Sequence, residues 1–565
     1  MGIPSLYKNI IKRYPKVIIS KPTNVDYFLM DFNSSIYRVL EKLEVINDTN
    51  IINGVIENTA LLVREINPRK VLYLALDGSP PRAKMIQQRN RRFKSVLEAK
   101  IKNQLRQKHG LPAKNSSWNT SNLTPGTKFM KKLSDKLHSE AKKGIFGKIC
   151  VIISDTSVPG EGEQKLIPYM MNIRGKYNFC IYGEDGDLII LSLISRKDNI
   201  TILRDEIDGR KYISIDEYKK SSIEYLGIDT TKYDPHCIFN DYSFLSMICG
   251  NDFMKPLPFL AVKNGGFDTV INIYNKLLND EYMIVMKNGR VKINTHFFKE
   301  IIEELCKIEW GSTKRLYQQW SSEPPKYDNE YETEFDRNWS IMEHTPYSAS
   351  YHPSHKTFMT QISQINYTEN MRSLKNSYYS YYFNINESNM MKYNKMRAVI
   401  CNNYLKTLIW NARYYFEGGL PPDWSWYYIY RVAPFPSDIK FVLSKITDIN
   451  THFKFTLGKP YTPLHQLMLV LPRESKEILP KPYQKLFDGK LSKYYPSDYE
   501  LDILTGLKWI YTEPILPEIN EQEVYDEMKK IKLDKNNSNR NVIVDNPSII
   551  NLGKPEKKRI KIIKK

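Results

Sequence analysis

The chain has 565 residues, 41% of them hydrophobic, which is enough for a sizeable core and two or more domains. Its net charge of +20 favours a polyanionic partner, nucleic acid first, over the plainer reading of a generally basic soluble protein. No run is long enough to span a bilayer, no signal peptide is evident, and Cys150, Cys180, Cys237, Cys249, Cys306 and Cys401 form no CxxC pair, so a membrane protein, a secreted disulfide scaffold and a zinc module are all disfavoured. Cysteines scattered through apolar runs fit reduced thiols in an intracellular protein. The start MGIPSL has Leu6 where a myristoylation signal needs Ser or Thr, so lipidation is not expected.

Residues 1–280 alternate strand-like and helix-like segments, the pattern of an α/β catalytic domain. Four hydrophobic runs stand out: 25–31 (VDYFLMD), 70–77 (KVLYLALD), 148–155 (KICVIISD) and 177–187 (YNFCIYGEDGD). Short β-branched and aromatic runs between turn signals predict buried, parallel strands. A basic helix is expected over 82–108, started by Pro80 and Pro81. Residues 111–127 are read as a polar loop. Within a linker or irregular helical region at 281–387, residues 308–350 lack clean periodicity and contain Pro324 and Pro325. Helical periodicity returns at 388, opening a second region over 388–520 with the aromatic stretch PPDWSWYYIYRVAPFP. The Asn- and Lys-rich end, within a basic tail at 521–565, is expected to be disordered from about 533. No internal repeat is evident.

Each of the four runs ends at or near a carboxylate, and ligands in open α/β sheets sit beyond the carboxyl ends of the strands. Asp31, Asp77, Glu161, Glu163, Asp185 and Asp187 can therefore converge on one small volume, with Asp252 of CGNDF as a seventh. So many carboxylates repel one another and drive their pKa values up unless cations neutralise them. Mg²⁺, with Mn²⁺ as a substitute, is the natural solution. Two ions about 4 Å apart can serve both the attacking water and the leaving oxygen of a phosphodiester. Acidic caps on helix N-termini explain one or two of these residues without metal, but not all seven.

The predicted basic helix carries ten Lys or Arg and only Glu98 as acid. Lys84, Gln88, Arg91 and Arg92 fall at i, i+4, i+7 and i+8, on one face. Three cations and an amide there suit a terminal phosphate, whose extra charge an internal diester lacks. A solvated basic face is the plainer reading. In the aromatic stretch, strand alternation would put Trp424, Trp426, Tyr428 and Tyr430 on one side, where one or two Trp can stack on unpaired bases; a core strand explains them equally.

These strings together resemble the Xrn family of 5′→3′ exoribonucleases, within the wider flap-endonuclease-like superfamily. The matching strings are MGIP, LDGSPPRAKMIQQRNRRF, TPGTKFM, SVPGEGEQK, YGEDGDLIILSL, GNDFMKPLP, GGLPPDWSWYYIYRVAP and FTLGKPYTPLHQLMLVLP, in the family's order. The resemblance implies a mostly parallel central sheet with flanking helices, a PIN-like or flap-endonuclease-like nuclease core, plus a second packed lobe of mixed α/β structure. It also implies an Mg²⁺-dependent enzyme that digests single-stranded RNA processively from a 5′-monophosphate end after decapping. Protein partners of the decapping-factor kind, a cytoplasmic or nuclear location and no membrane contact go with it. By motif, the seven acids are the metal ligands, Lys84, Gln88, Arg91 and Arg92 the 5′-phosphate pocket, and Pro81 the place where duplex entry is blocked. Tyr37 stands where the family carries a base-stacking His, Gln164 replaces the His of EGEH, and Gly186 replaces an Ala; none removes a metal ligand. The chain resembles a compact form, without the long C-terminal extension of large cytoplasmic members, and suits a large DNA virus or a microbial eukaryote. A DNA flap endonuclease with the same catalytic lobe and a silent RNA-binding scaffold are the alternatives.

Overall fold

A computed structural model describes residues 6–114, 118–206, 208–279, 281–321, 332–344, 360–504 and 512–552. Its centre is an eight-stranded sheet. In chain order the first seven strands are β1 (Ile18–Ile19), β2 (Tyr27–Asp31), β3 (Val71–Ala75), β4 (Cys150–Ser154), β5 (Phe179–Tyr182), β6 (Ile200–Glu206) and β7 (Gly209–Ser214). Across the sheet they run β1-β7-β6-β5-β2-β3-β4, and a last strand, Ser548–Asn551, closes the β4 edge. The block β6-β5-β2-β3-β4 is parallel, while β7, β1 and the last strand pair antiparallel. All four predicted strands form, each slightly shorter than its hydrophobic run.

Alternation along these strands sends side chains to two separate cores. Leu29, Tyr73, Ala75, Ile152 and Ile181 pack on one face. Phe28, Met30, Leu72, Leu74, Val151, Ile153, Cys180 and Tyr182 pack on the other. Both faces are covered, as an all-parallel block requires, because neither can be left to water. The chain proceeds from β2 outward through β3 to β4, then returns to place β5 on the opposite side of β2. Such a reversal opens a crevice at the carboxyl ends of the strands.

The helices that matter to that crevice are α1 (Leu6–Arg13), α2 (Phe32–Lys42), α3 (Asp48–Ile66), α4 (Arg82–Lys108), α5 (Lys128–Lys142), α6 (Gly162–Asn172) and α7 (Asp187–Ile194). The basic helix α4 starts after Pro81, where φ near −65° suits the entry to a helix. Further along lie the helix Pro235–Met247, the hairpin Ile284–Lys287 with Arg290–Ile293, and the long helix Met390–Phe416. Among the described residues of 388–520 helices prevail, and the strand content is one short pairing with Leu501 opposite Pro514 and Asp502 opposite Glu513. All six cysteines are free thiols.

Three expectations change. Residues 308–321, read as irregular, complete the 27-residue helix Thr295–Ser321, and Glu334–His344 is helical too. Residues 322–331, 345–350 and 553–565 lie outside the described residues. Residues 424–430 form no strand; they run as an extended loop with Trp424 and Tyr428 buried. The expected disorder from 533 does not hold for 533–552, where a short helix Lys535–Asn539 leads into the edge strand. Composition misleads there because the edge strand takes its order from β4: Ser548 to Asn551 pair with Ile153 to Cys150. Val544 N–H donates to the Ser157 carbonyl, and Arg540 Nη1 donates to the Gly126 carbonyl.

Truncation after Pro547 removes the strand that caps β4. Amide exchange at Val151–Ile153 should then accelerate about tenfold, the equivalent of about 1.4 kcal/mol of local stability. Unchanged protection would mean that the strand adds nothing to the sheet.

Candidate active site

The carboxylates come from five places. Asp31 is the last residue of β2, and Asp77 lies two residues beyond β3. Glu161 precedes α6 and Glu163 lies in its first turn. Asp185 and Asp187 bracket the start of α7. Asp252 follows the helix Pro235–Met247. The ligand oxygens of Asp31, Asp77 and Glu163 lie within 4.8 Å of one another. The other four interact electrostatically with this trio or with each other. The structure thus brings together all seven acids singled out in the sequence.

Holding them so close takes close backbone approach. A Cβ on Gly162 would sit 2.5 Å from Asp31 Oδ1 and 3.0 Å from the Ala75 carbonyl. Only glycine lets the start of α6 reach the ends of β2 and β3. Gly162 N–H then donates to Asp77 Oδ1 at 2.8 Å. Asn33 Nδ2 donates to Asp77 Oδ2 at 2.7 Å, and Ser34 Oγ donates to Asp31 Oδ2 at 3.1 Å. The loops after β3 and β4 are laced by Gly78 N–H to the Gly160 carbonyl and Gly160 N–H to the Ser79 carbonyl. Lys165 ties the same loops, donating to the Leu76 carbonyl at 2.6 Å.

Electrostatically the site is under tension. Burial and the charges of Asp77 and Asp185 push Asp31 up to about 8. Burial with Asp185 and Asp252 pushes Asp187 up to about 8. Burial raises Glu163 well above the usual carboxylate range, with Glu161 and Asp31 adding repulsion. These are hard oxygen donors in a tight group where carboxylates outnumber cations, so the residues fit divalent cations of the Mg²⁺ or Mn²⁺ type. The cation inside the cluster is Lys84, whose Nζ lies 2.5 Å from Glu161 Oε2 and 2.7 Å from Asp252 Oδ2. Lys84 was expected to face a phosphate; here it pairs with two of the acids.

The remaining residues of the expected phosphate pocket lie further along α4. Gln88 is buried, its Oε1 accepting from Gln466 Nε2 at 3.1 Å. Arg92 Nη2 donates to Thr124 Oγ1 at 2.7 Å, while its buried Nη1 has no hydrogen-bond partner among the described residues. Burial and the neighbouring Arg91 push the Arg92 guanidinium down to about 9, the mark of a cation lacking a counter-anion. Arg91 is exposed, and so is Tyr37, which is near enough to Arg92 to interact with it. Pro81 is buried at the start of α4, where Arg82 N–H donates to the Trp424 carbonyl. Trp424 itself is buried against the core of the second region. Trp426 is half-buried, with Nε1 donating to Thr407 Oγ1 and Lys406 Nζ 4.0 Å above its ring.

Sequence reasoning missed Asn33, Ser34, Thr124 and Lys165, which support the acids or Arg92. It also missed two tyrosines from the far end of the chain. Tyr414 OH donates to Glu161 Oε1 at 3.0 Å, and Tyr415 OH donates to Asp187 Oδ2 at 2.6 Å. Their only local signal is their place in a long amphipathic helix.

A mostly parallel sheet thus gathers seven acids at its carboxyl edge beside a basic helix, an arrangement whose residues suit divalent cations and a polyanionic ligand. The family profile "XRN 5'-3' exonuclease N-terminus" matches residues 1–206, and "Xrn1 helical domain" matches 232–340 and 371–565. The chain belongs to the Xrn family of 5′-3′ exonucleases. It is 27% identical to 5'-3' exoribonuclease 1 of Homo sapiens, a match covering 94% of this chain and 34% of that protein. It is 25% identical to the 5'-3' exoribonuclease 2 homolog of Drosophila melanogaster, covering 100% of this chain and 75% of that one. The chain thus spans about a third of the length of the human relative. The catalytic core of Rad2 in complex with DNA substrate overlaps with a TM-score of 0.30 at 13% identity, covering 60% of this chain and 78% of that one, too little to carry a structural conclusion. Among the described residues, no helix is long and apolar enough to cross a membrane.

Burial and the repulsion of neighbouring carboxylates push Asp31 and Asp187 up to about 8, so both favour the protonated form near neutral pH and a cation must displace protons to bind. Mn²⁺ binding at pH 7 should therefore release protons, and affinity should climb as pH rises toward 8. Calorimetry in buffers of different ionisation enthalpy counts those protons; binding without release would contradict the charge balance described here.

Proposed function

We propose that the chain is a 5′→3′ exoribonuclease that takes single-stranded RNA with a 5′ monophosphate and releases nucleoside monophosphates processively. The observation that carries this reading is the placement of a counter-anion-deficient Arg92 on the helix whose first turn reaches the acid cluster through Lys84. An end-phosphate held near Arg91 and Arg92 would leave the first internucleotide linkage beside the carboxylates. The whole-chain relatedness to proteins named 5'-3' exoribonucleases supports the choice of RNA and of polarity.

In this mechanism Asp31, Asp77, Glu161, Glu163, Asp185, Asp187 and Asp252 hold two divalent cations, Mg²⁺ with Mn²⁺ as a substitute. Once bound, such ions supply Lewis-acid activation of water and charge neutralisation at the leaving oxygen. Gln88, Arg91 and Arg92 bind the terminal phosphate, favouring a monophosphate over a hydroxyl because its charge answers theirs. Lys84 links the two halves of the site, pairing with Glu161 and Asp252 when no substrate is present. Tyr37, exposed beside Arg92, offers a face for the first base, and half-buried Trp426 offers another. Buried Trp424 instead anchors the start of α4, and Pro81 fixes the direction from which that helix enters the site. Decapped transcripts are the substrates this specificity suits, with decapping factors as partners and the cytoplasm as the expected location.

Asp185→Asn should abolish mononucleotide release while sparing RNA binding in a filter or anisotropy assay; retained turnover would remove Asp185 from the catalytic set. Arg92→Ala should raise KM for 5′-monophosphate RNA at least tenfold and leave 5′-hydroxyl RNA unchanged, about 1.4 kcal/mol or more of selectivity. The deciding experiment digests one RNA bearing a 5′ monophosphate, triphosphate, cap or hydroxyl, with its DNA analogue, in Mg²⁺ or EDTA. Mg²⁺-dependent attack on monophosphate RNA alone supports the proposal. Equal attack on DNA would favour a flap-type nuclease, and no cleavage a binding scaffold.

A further inference from the structure

The helix Met390–Phe416 reaches the acid cluster from more than 150 residues downstream of the last acid. Its end makes three separate contacts with catalytic-site elements. Tyr414 OH donates to Glu161 Oε1, and Tyr415 OH donates to Asp187 Oδ2. Both tyrosines are fully buried, so neither hydroxyl has water as an alternative partner. Between them sits Phe253, the residue after Asp252, whose ring centroid lies 5.5 Å from Trp410, 5.3 Å from Tyr414 and 6.1 Å from Tyr415. Trp410 is itself fixed, its Nε1 donating to the Asp423 carbonyl at 2.8 Å. The end of one helix thus meets Glu161 and Asp187 directly and packs on the residue next to Asp252.

The approach of this helix end to α6 is equally constrained. Gly419 has φ of +69°, and a Cβ there would lie 2.4 Å from the Gln164 carbonyl. The chain leaving the helix therefore lies directly against the segment that carries Glu161 and Glu163. A hydroxyl donating to one oxygen of a carboxylate fixes its rotamer and so the direction of the second oxygen, which at Glu161 meets Lys84 Nζ at 2.5 Å. It also stabilises the ionised form, which a cation requires.

We infer that Tyr414 and Tyr415 are positioning residues through which the second region sets the metal affinity of the first, each orienting one carboxylate by a single hydrogen bond. The inference rests on the metal-dependent nuclease reading above. It makes the second region part of the metal site, beyond any role in enclosing substrate.

Tyr414→Phe and Tyr415→Phe keep the rings and remove only the donors. Mn²⁺ affinity, measured on the full chain by the electron paramagnetic resonance signal of free Mn²⁺, should weaken about three- to tenfold in each. Tyr428→Phe is the control, because its hydroxyl donates to the Val432 carbonyl away from the acids. It should lower Tm while leaving Mn²⁺ affinity as in the wild type. Wild-type affinity in both Tyr414→Phe and Tyr415→Phe, or an equal loss in Tyr428→Phe, would overturn the inference. Because Mn²⁺ binding is read without RNA, weakened binding in a protein whose wild type digests no RNA would refute the exonuclease reading and leave the positioning role standing.

Discussion

Mutual repulsion among buried carboxylates is the constraint on which the rest of this structure depends. Left to themselves, acids this close would swing apart into water or hold protons. Here neither escape is free. Asp77 is held by Asn33 and by the Gly162 N–H, Asp31 by Ser34, and Glu161 and Asp187 by Tyr414 and Tyr415. The ammonium of Lys84, paired with Glu161 and Asp252, offsets part of the charge, and the repulsion that is left pushes Asp31 and Asp187 up to about 8. A site so arranged is preorganised for divalent cations, because the cost of gathering the ligands is met by folding.

Helix α4 explains how one element serves both charge and packing. One face carries Lys84, Gln88 and Arg92 toward the site. The adjoining face carries Arg82, Met85 and Arg89 into the second region, and Phe93 meets Tyr499 edge-on. Arg89 donates to the Pro517 and Tyr494 carbonyls, and Arg82 donates to the Ile519 carbonyl while lying 3.4 Å from Glu521. Buried guanidinium groups need such partners, since leaving one unpaired costs several kcal/mol. The high charge of this helix therefore has two origins. Lys84 pairs with two of the acids, and Arg82 and Arg89 clamp the carbonyls of irregular segments that no regular ladder could satisfy.

The two matched family regions are consequently interlocked. Residues of the second region buttress α4, orient two of the acids and, through the strand Ser548–Asn551, close the edge of the catalytic sheet. That strand also blunts an edge that would otherwise offer β4 to other chains. An insult to the far end of the chain can thus reach the metal site without touching it.

The sequence by itself marked the four central strands, the basic helix and the acids that meet at the strand ends. Short β-branched and aromatic runs between turn signals marked the four strands. Strand-end placement marked Asp31, Asp77, Glu161, Glu163, Asp185 and Asp187, because in a parallel sheet strand ends and the active crevice coincide. Helical spacing marked Lys84, Gln88, Arg91 and Arg92. Only the tertiary structure decided that Lys84 turns into the acids, that Trp424 is packing, and that residues 548–551 form a strand. It alone brought Tyr414 and Tyr415 to Glu161 and Asp187. The physical reason is range: periodicity and turn chemistry act over a few residues, whereas a hydroxyl meeting a carboxylate some 250 positions away depends on packing that no local pattern encodes.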